Sequence, residues 1–185
     1  MIILNLVTSN KNKVREFKEI LGEKVSLNHI ELEYPEMRSD DPSEITKVAA
    51  KQLAEKLQKT VICEDYGLFI SALKGFPGTC SKYVHQRIGL QGILKLMERI
   101  KGRSCEYISA VGYCEPGKDP LAFVGSEKGT LAKEIRGANG FGHDPIFIPE
   151  GSKKTYGEDS DVEKHKKFRR RAVEKLMGWL GNIRG

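Results

Sequence analysis

The sequence predicts an α/β protein built on a mixed β-sheet, and three observations predict it. The first half alternates short apolar, β-favouring runs with stretches of helical periodicity, in the order β-α-β-α-β. The second half holds paired extended runs separated by turn signals, which read as hairpins. No internal repeat, low-complexity linker or composition break divides the chain, so residues 1–185 read as a single domain.

Ile2–Thr8 is apolar and β-favouring, and reads as a buried strand. Ser9-Asn10-Lys11-Asn12 is turn and cap material. A helix follows with Val14, Phe17, Ile20 and Leu21 on one face, and Gly22 ends it. Val25–Glu33 carries a weaker strand pattern, and Tyr34–Pro42 is an acidic loop. Ser43 can cap a helix whose apolar stripe is Ile45, Val48, Ala49, Leu53 and Leu57. Val61-Ile62-Cys63 predicts a short buried strand that ends at Glu64-Asp65, with Leu68–Leu73 as a further extended run. Gly75-Phe76-Pro77-Gly78 is a turn cluster. Leu90, Ile93, Leu94, Met97 and Ile100 mark another amphipathic helix. Tyr107–Cys114 and Leu121–Val124 predict a hairpin across Glu115–Lys118, and Gly129–Ile135 predicts one more strand. Gly137–Gly151 is a glycine-rich loop around Ile146-Phe147-Ile148, and a last helix runs from about Arg169 to Leu180.

Composition narrows the function classes. The 185 residues are 39% hydrophobic and 30% charged, which is globular usage. No apolar run approaches the roughly 18–20 residues of a membrane span. The start of the sequence lacks a basic leader and a small-residue cleavage site, so the expected location is cytoplasmic. Cys63, Cys80, Cys105 and Cys114 form no C-x-x-C pair and read as small buried hydrophobes rather than zinc ligands or disulfides. The four histidines make no H-E-x-x-H pair, which disfavours a zinc hydrolase. The net charge is +6, and residues 164–171 hold six Lys/Arg and no acid. Removing those six from the 31 basic residues leaves 25 against 25 acidic ones, so the excess sits in one stretch and suggests a polyanion partner.

Five constellations carry candidate chemistry. Thr8-x-Asn10-x-x-Lys13 lies between a strand and a helix, where unpaired amides favour phosphate. An ordinary Asn cap with a solvated lysine has the same sequence. Glu64-Asp65 follows a buried strand, where paired carboxylates need a cation such as Mg2+. An exposed acidic turn is the alternative. Glu36 and Lys51 are solvated residues on sequence alone. Gly140-Phe141-Gly142-His143-Asp144-Pro145 permits close backbone approach to a flat ligand, with Phe141 to stack and Asp144 to accept, or else forms a hairpin turn. The basic cluster opposes the dipole at a helix start, a placement more easily explained by a bound anion.

Read together, these pieces resemble the inosine triphosphate pyrophosphatase family, the Ham1-like enzymes. Thr8-Ser9-Asn10-Lys11-Asn12-Lys13 with Glu16 is similar to the family's opening T/S-x-N-x-x-K-x-x-E, and Tyr34-Pro35-Glu36 to its acidic loop. Glu64-Asp65-Tyr66-Gly67-Leu68, then Ala72–Gly78 and Ser81, resembles its central signature. Gly140–Pro145, Phe147 and Pro149, then Thr155 and Glu158, resembles its G-F-G-Y/W-D-P loop.

The resemblance implies an elongated α/β fold, two lobes around a long twisted mixed sheet flanked by helices, with the substrate in a central cleft. It implies Mg2+-dependent hydrolysis of non-standard purine triphosphates such as ITP, dITP and XTP to monophosphate and pyrophosphate, by a homodimer. Carried over, Thr8, Ser9, Asn10, Lys13, Lys51 and Tyr66 would contact phosphate. Glu36, Glu64 and Asp65 would hold magnesium, with Asp65 as general base. Phe141, Gly142, His143, Asp144, Lys164, Phe168 and Arg169 would line the base and sugar pocket. Tyr66 departs from the usual Ser or Thr, His143 from Tyr or Trp, and Lys167-Phe168 from Ser-His, so the departures gather near the base. Two rivals stand beside this reading. One is a Maf-like pyrophosphatase of different base specificity, and the other a nucleic-acid-binding module using residues 164–171, which no further basic stripe or aromatic platform accompanies.

Overall fold

The computed structural model describes residues 2–184. Strand β1 (Ile2–Val7) buries Leu4, Leu6 and Val7. The Asn10 side chain accepts from the amides of Asn12 and Lys13 and so starts helix α1 (Lys11–Leu21), which buries Val14, Phe17 and Leu21. Strand β2 (Val25–Ile30) lies parallel to β1 with Leu4 beside Leu27. Helix α2 (Pro42–Leu57) is capped by Asp41, not Ser43: Asp41 accepts the Ser43 amide at 2.8 Å, and Pro42 fills a first-turn position that needs no donor. Ile45, Ala49 and Leu53 are buried as expected, whereas Val48 is exposed.

Strand β3 (Val61–Ile70) corrects the expected short strand, because it runs through Glu64-Asp65 without a break. It pairs parallel with β1 and antiparallel with β4 (Pro77–Gly78). Gly67 is required there, since a Cβ on it would strike the Gly78 carbonyl. Helix α3 (Ser81–Leu96) begins well before the expected Leu90, kinks at Gly89 (φ 62), and ends short of Ile100. Strands β5 (Ser104–Cys114) and β6 (Leu121–Leu131) follow. The second is continuous where sequence suggests two pieces. Strand β7 (Phe147–Pro149) pairs antiparallel with β6, Thr130 opposite Ile148. The short helix α4 (Val162–His165) precedes α5 (Phe168–Arg184).

The strands form a mixed sheet in the order β2-β1-β3-β5-β6-β7, with β4 on β3. The fold class is therefore the α/β mixed sheet that the sequence predicts. The chain comprises two compact units, Met1–Asp65 with Ser109–Gly125 and Arg169–Gly185, and Tyr66–Ile108 with Ser126–Phe168. The first has a core of Leu4, Leu6, Phe17, Ile62, Val111 and Leu176. The second packs Leu68, Ile70, Ile93, Tyr107, Phe147 and Phe168. Cys63, Cys105 and Cys114 are buried thiols, but Cys80 is exposed at the start of α3, against the expectation of burial. No helix among the described residues is long and apolar enough to cross a membrane.

Candidate active site

In the first unit, the turn after β1 is held by Thr8, whose hydroxyl accepts the Asn10 amide at 3.1 Å. Ser9 is half-buried between them. Asn10 acts as the cap that the sequence offers as the plain alternative, its oxygen accepting Asn12 N at 2.9 Å and Lys13 N at 3.4 Å. One helical turn on, the Lys13 ammonium lies 2.9 Å from Glu64 Oε2 and donates to the Glu64 carbonyl at 2.6 Å. Burial alone would depress this lysine; Glu64 and Asp65 outweigh it and hold its pKa above the ordinary value.

Glu64 is fully buried and heavily partnered. Its Oε1 accepts from Ser109 Oγ at 2.7 Å and Arg169 Nε at 2.9 Å. The same guanidinium pairs through Nη1 with buried Glu16. Two anions and two cations thus compensate one another, which is how charges survive inside a strand. This explains why β3 does not stop at Glu64.

Side chains alternate along a strand, so Asp65 emerges on the face opposite Glu64 and shares it with Cys63. The Cys63 thiol hydrogen-bonds Tyr34, and burial pushes it up to about 12, with Glu36 and Glu64 adding to the rise. Tyr34's phenol is pushed far up by burial first, then by Cys63, Glu36 and Asp65. Glu36 and Asp65, distant in sequence, therefore act on one phenol. Glu36 is exposed and Asp65 half-buried. Lys51 is engaged elsewhere: it pairs with Glu55 at 3.2 Å and donates to the Lys118 carbonyl at 2.9 Å.

In the second unit, the glycine-rich loop is tied by Asp144. Its Oδ2 accepts the Phe141 amide at 2.7 Å and meets the Lys166 ammonium at 2.7 Å, and Tyr107 OH donates to Oδ1 at 3.3 Å. Burial raises the Asp144 carboxyl, while Lys166 pulls it back. A side chain on Gly140 (φ 73) would strike the Asp144 carboxylate. Lys166 also lies 4.3 Å above the Phe141 ring, a cation–π contact. Phe168 stacks on Tyr107 at 4.6 Å and on Tyr66 at 5.7 Å, and Tyr66 meets Phe141 edge-on at 6.0 Å. Gly142 is half-buried. His143 is buried against His85, ring centres 5.3 Å apart, and among the described residues nothing hydrogen-bonds its Nε2. Burial drops this imidazole to about 3, with a smaller push from His85. Lys164 is exposed and bonded to Asp161 at 3.0 Å.

The structure thus brings Lys13, Glu64 and Asp65 together with Glu36 nearby in the first unit, and Phe141, His143, Asp144, Tyr66 and Phe168 together in the second. Arg169, expected among the base readers, is committed to Glu16 and Glu64. Sequence reasoning misses Lys166, Ser109, Tyr34 and Tyr107. Only the basic stretch hints at Lys166, and spacing alone does not say which of its lysines turns inward.

Known proteins match the chain over nearly its whole length. The sequence model of the Ham1 family matches residues 4–179. A dITP/XTP pyrophosphatase of Methanopyrus kandleri is 48% identical over 95% of this chain and 94% of its own. One of Methanothermobacter marburgensis is 42% identical over 95% of each. A solved HAM1 protein of Coxiella burnetii superposes with a TM-score of 0.82 at 27% identity, covering 98% of this chain and all (100%) of its own. The Staphylococcus aureus Ham1 structure gives 0.80 at 26% identity, covering 97% and 99%. With its lysine-bearing cap, its charge-compensated carboxylates on β3 and its aspartate-tied glycine loop all inside the matched span, the chain belongs to the Ham1 family.

Proposed function

We propose that this protein hydrolyses non-standard purine nucleoside triphosphates, ITP, dITP and XTP, to the monophosphate and pyrophosphate. The relatives named dITP/XTP pyrophosphatase at 48% and 42% identity support the reaction class. The observation that carries the reading is the Lys13 ammonium held by the side chain and main chain of Glu64, at 2.9 Å and 2.6 Å, with Asp65 next on the same strand.

Glu36 and Asp65 offer oxygen donors only, which fits Mg2+, an ion that takes one or two carboxylates and keeps waters and phosphate oxygens. Among the described residues no three or more His, Cys, Asp or Glu form a ready cage, so an ion there would draw its remaining ligands from water and substrate. Glu64, expected as a third ligand, has its carboxylate shared among Lys13, Ser109 and Arg169, so it anchors Lys13, and Glu36 and Asp65 are the carboxylates that would hold the ion. Bound Mg2+ would supply charge neutralisation on the phosphates. Asp65 accepts a proton from water as the water oxygen bonds to the α-phosphorus. The bond from that phosphorus to the α–β bridging oxygen breaks, and pyrophosphate leaves with Lys13 meeting its charge. Thr8, Ser9 and Asn10 shape the turn that presents Lys13.

Hypoxanthine and xanthine carry an O6 acceptor where adenine carries an amino donor. In the second unit the buried Lys166 ammonium, beside Phe141, is a donor suited to O6. Mispairing it costs about 1–3 kcal/mol, roughly 10–100-fold in kcat/KM. The test is pyrophosphate release from ITP, dITP, XTP, ATP and GTP, with and without Mg2+. Guanine shares O6, so its exclusion rests on its N2 amino group; ITP and XTP should lead and should need the metal, and equal rates across the panel would refute the assignment.

We also infer a homodimer. Phe76, Tyr83, Ile88 and Leu96 leave 40–55% of their surface exposed in the second unit, an apolar set that a second copy can cover. Sedimentation velocity checks it.

A further inference from the structure

We propose that Glu127 is a positioning residue for the purine-reading residues of the second unit, through its grip on the segment that carries Lys166 and Phe168; the inference rests on the purine reading given above. Glu127 lies on β6 and is only 4% exposed. Its two oxygens have separate duties. Oε1 accepts the Tyr156 hydroxyl at 2.6 Å, and Oε2 accepts the main-chain amide of Lys167 at 2.9 Å. Tyr156 is itself fixed by stacking on Phe147 at 5.5 Å, and its hydroxyl lies 3.4 Å from the His165 carbonyl. The carboxylate therefore pins the backbone at the residue between Lys166 and Phe168.

Those two neighbours point to different partners from that one pinned amide. Lys166 reaches Asp144 at 2.7 Å and the face of Phe141 at 4.3 Å. Phe168 stacks on Tyr107 and Tyr66. Lys167 lies outside both helices, since α4 ends at His165 and α5 begins at Phe168, and among the described residues its amide bonds Glu127. Without Glu127 this link has a partly buried amide to satisfy and two side chains to aim without the carboxylate that fixes the chain between them. A carboxylate with no role beyond filling the core would be replaceable by an apolar residue of the same length.

The test compares Glu127→Met, which keeps length but accepts nothing, with Glu127→Gln. The amide can accept from Lys167 N–H while donating to the Tyr156 oxygen, so it keeps both contacts. In the Met variant KM for ITP should rise about tenfold, with kcat changed less than about threefold, while the Gln variant stays within about threefold of wild type in both. Inhibition by inorganic pyrophosphate, which reads the phosphate groups alone, should be unchanged in both variants. Should Glu127→Met fail to fold, Tyr156→Phe removes one of the two donors without opening a cavity, and should raise KM about threefold. An unchanged KM in the folded variants overturns the inference, as does pyrophosphate inhibition weakening by the same factor as ITP. Wild-type protein inactive on ITP defeats the purine reading and this inference with it; active wild type with an unmoved variant defeats this inference alone.

Discussion

The Lys13 ammonium bonds both the side chain and the main chain of Glu64, at 2.9 Å and 2.6 Å. Helix α1 and strand β3 are thereby joined by one cation that sits one helical turn past a cap. On the proposed mechanism, a phosphate arriving there would compete with a carboxylate for that cation, and Lys13 would be charged and aimed before substrate binds. Its folded pKa is raised, so the stability it contributes is complete at neutral pH and fades only as pH climbs through the folded value. Lys13→Ala should lower kcat/KM for ITP by about 10²-fold or more. Arg169 and Ser109 still hold Glu64 Oε1, while Oε2 loses its lysine inside the protein, so the fold should lose about 1–3 kcal/mol, read by urea denaturation.

On the proposed mechanism, Asp65→Asn removes the proton acceptor while keeping shape. Turnover should fall about 10²–10⁴-fold, with the melting temperature close to wild type. Steady-state assays beside a thermal melt check it, and a variant that keeps near wild-type kcat would remove Asp65 from the chemistry.

Arg169→Met should act on stability first. It leaves Glu16 and Glu64 buried without the guanidinium that bridges them, a loss of about 3–5 kcal/mol. The outcome is a lowered urea midpoint. A midpoint within error of wild type would mean the two carboxylates find other compensation.

His143 gives a pH signature. Its folded pKa is lowered to about 3, against about 6.5 when unfolded. Between those values the unfolded chain binds the extra proton, so stability falls as pH falls, by about 1.4 kcal/mol per unit below pH 6.5. His143→Phe should flatten this slope in denaturation curves between pH 4 and 7. Activity near neutrality should show no titration from this imidazole.

Much of the fold and part of the site are legible in the sequence. The alternation of Leu4 and Leu6 and the i, i+3, i+7 spacing of Val14, Phe17 and Leu21 are enough to place β1 and α1. The phosphate and metal candidates lie within short motifs, so Asn10, Lys13, Glu64 and Asp65 can be named together. Features decided by distant partners are not legible. Strand β3 continues through two carboxylates because Arg169, from α5, neutralises one of them, and no local pattern announces that. The early start of α3 is hidden because Gly89 interrupts its periodicity. Lys164 looks as good a candidate as Lys166, because only the short turn of α4 determines which lysine faces Asp144. The basic stretch itself looks like a nucleic-acid surface. In the structure Lys166 and Arg169 are buried and ion-paired, and Lys164 and His165 are bonded to Asp161 and Asp159.

The most direct measurement follows isotope into product. ITP hydrolysed in water enriched in heavy oxygen should place the label in inosine monophosphate, because the proposed mechanism has water join the α-phosphorus with Asp65 taking its proton. Label recovered in pyrophosphate instead would put the attack on the β-phosphorus and contradict the assignment of Asp65, Glu36 and Lys13 to cleavage at the α–β bridge.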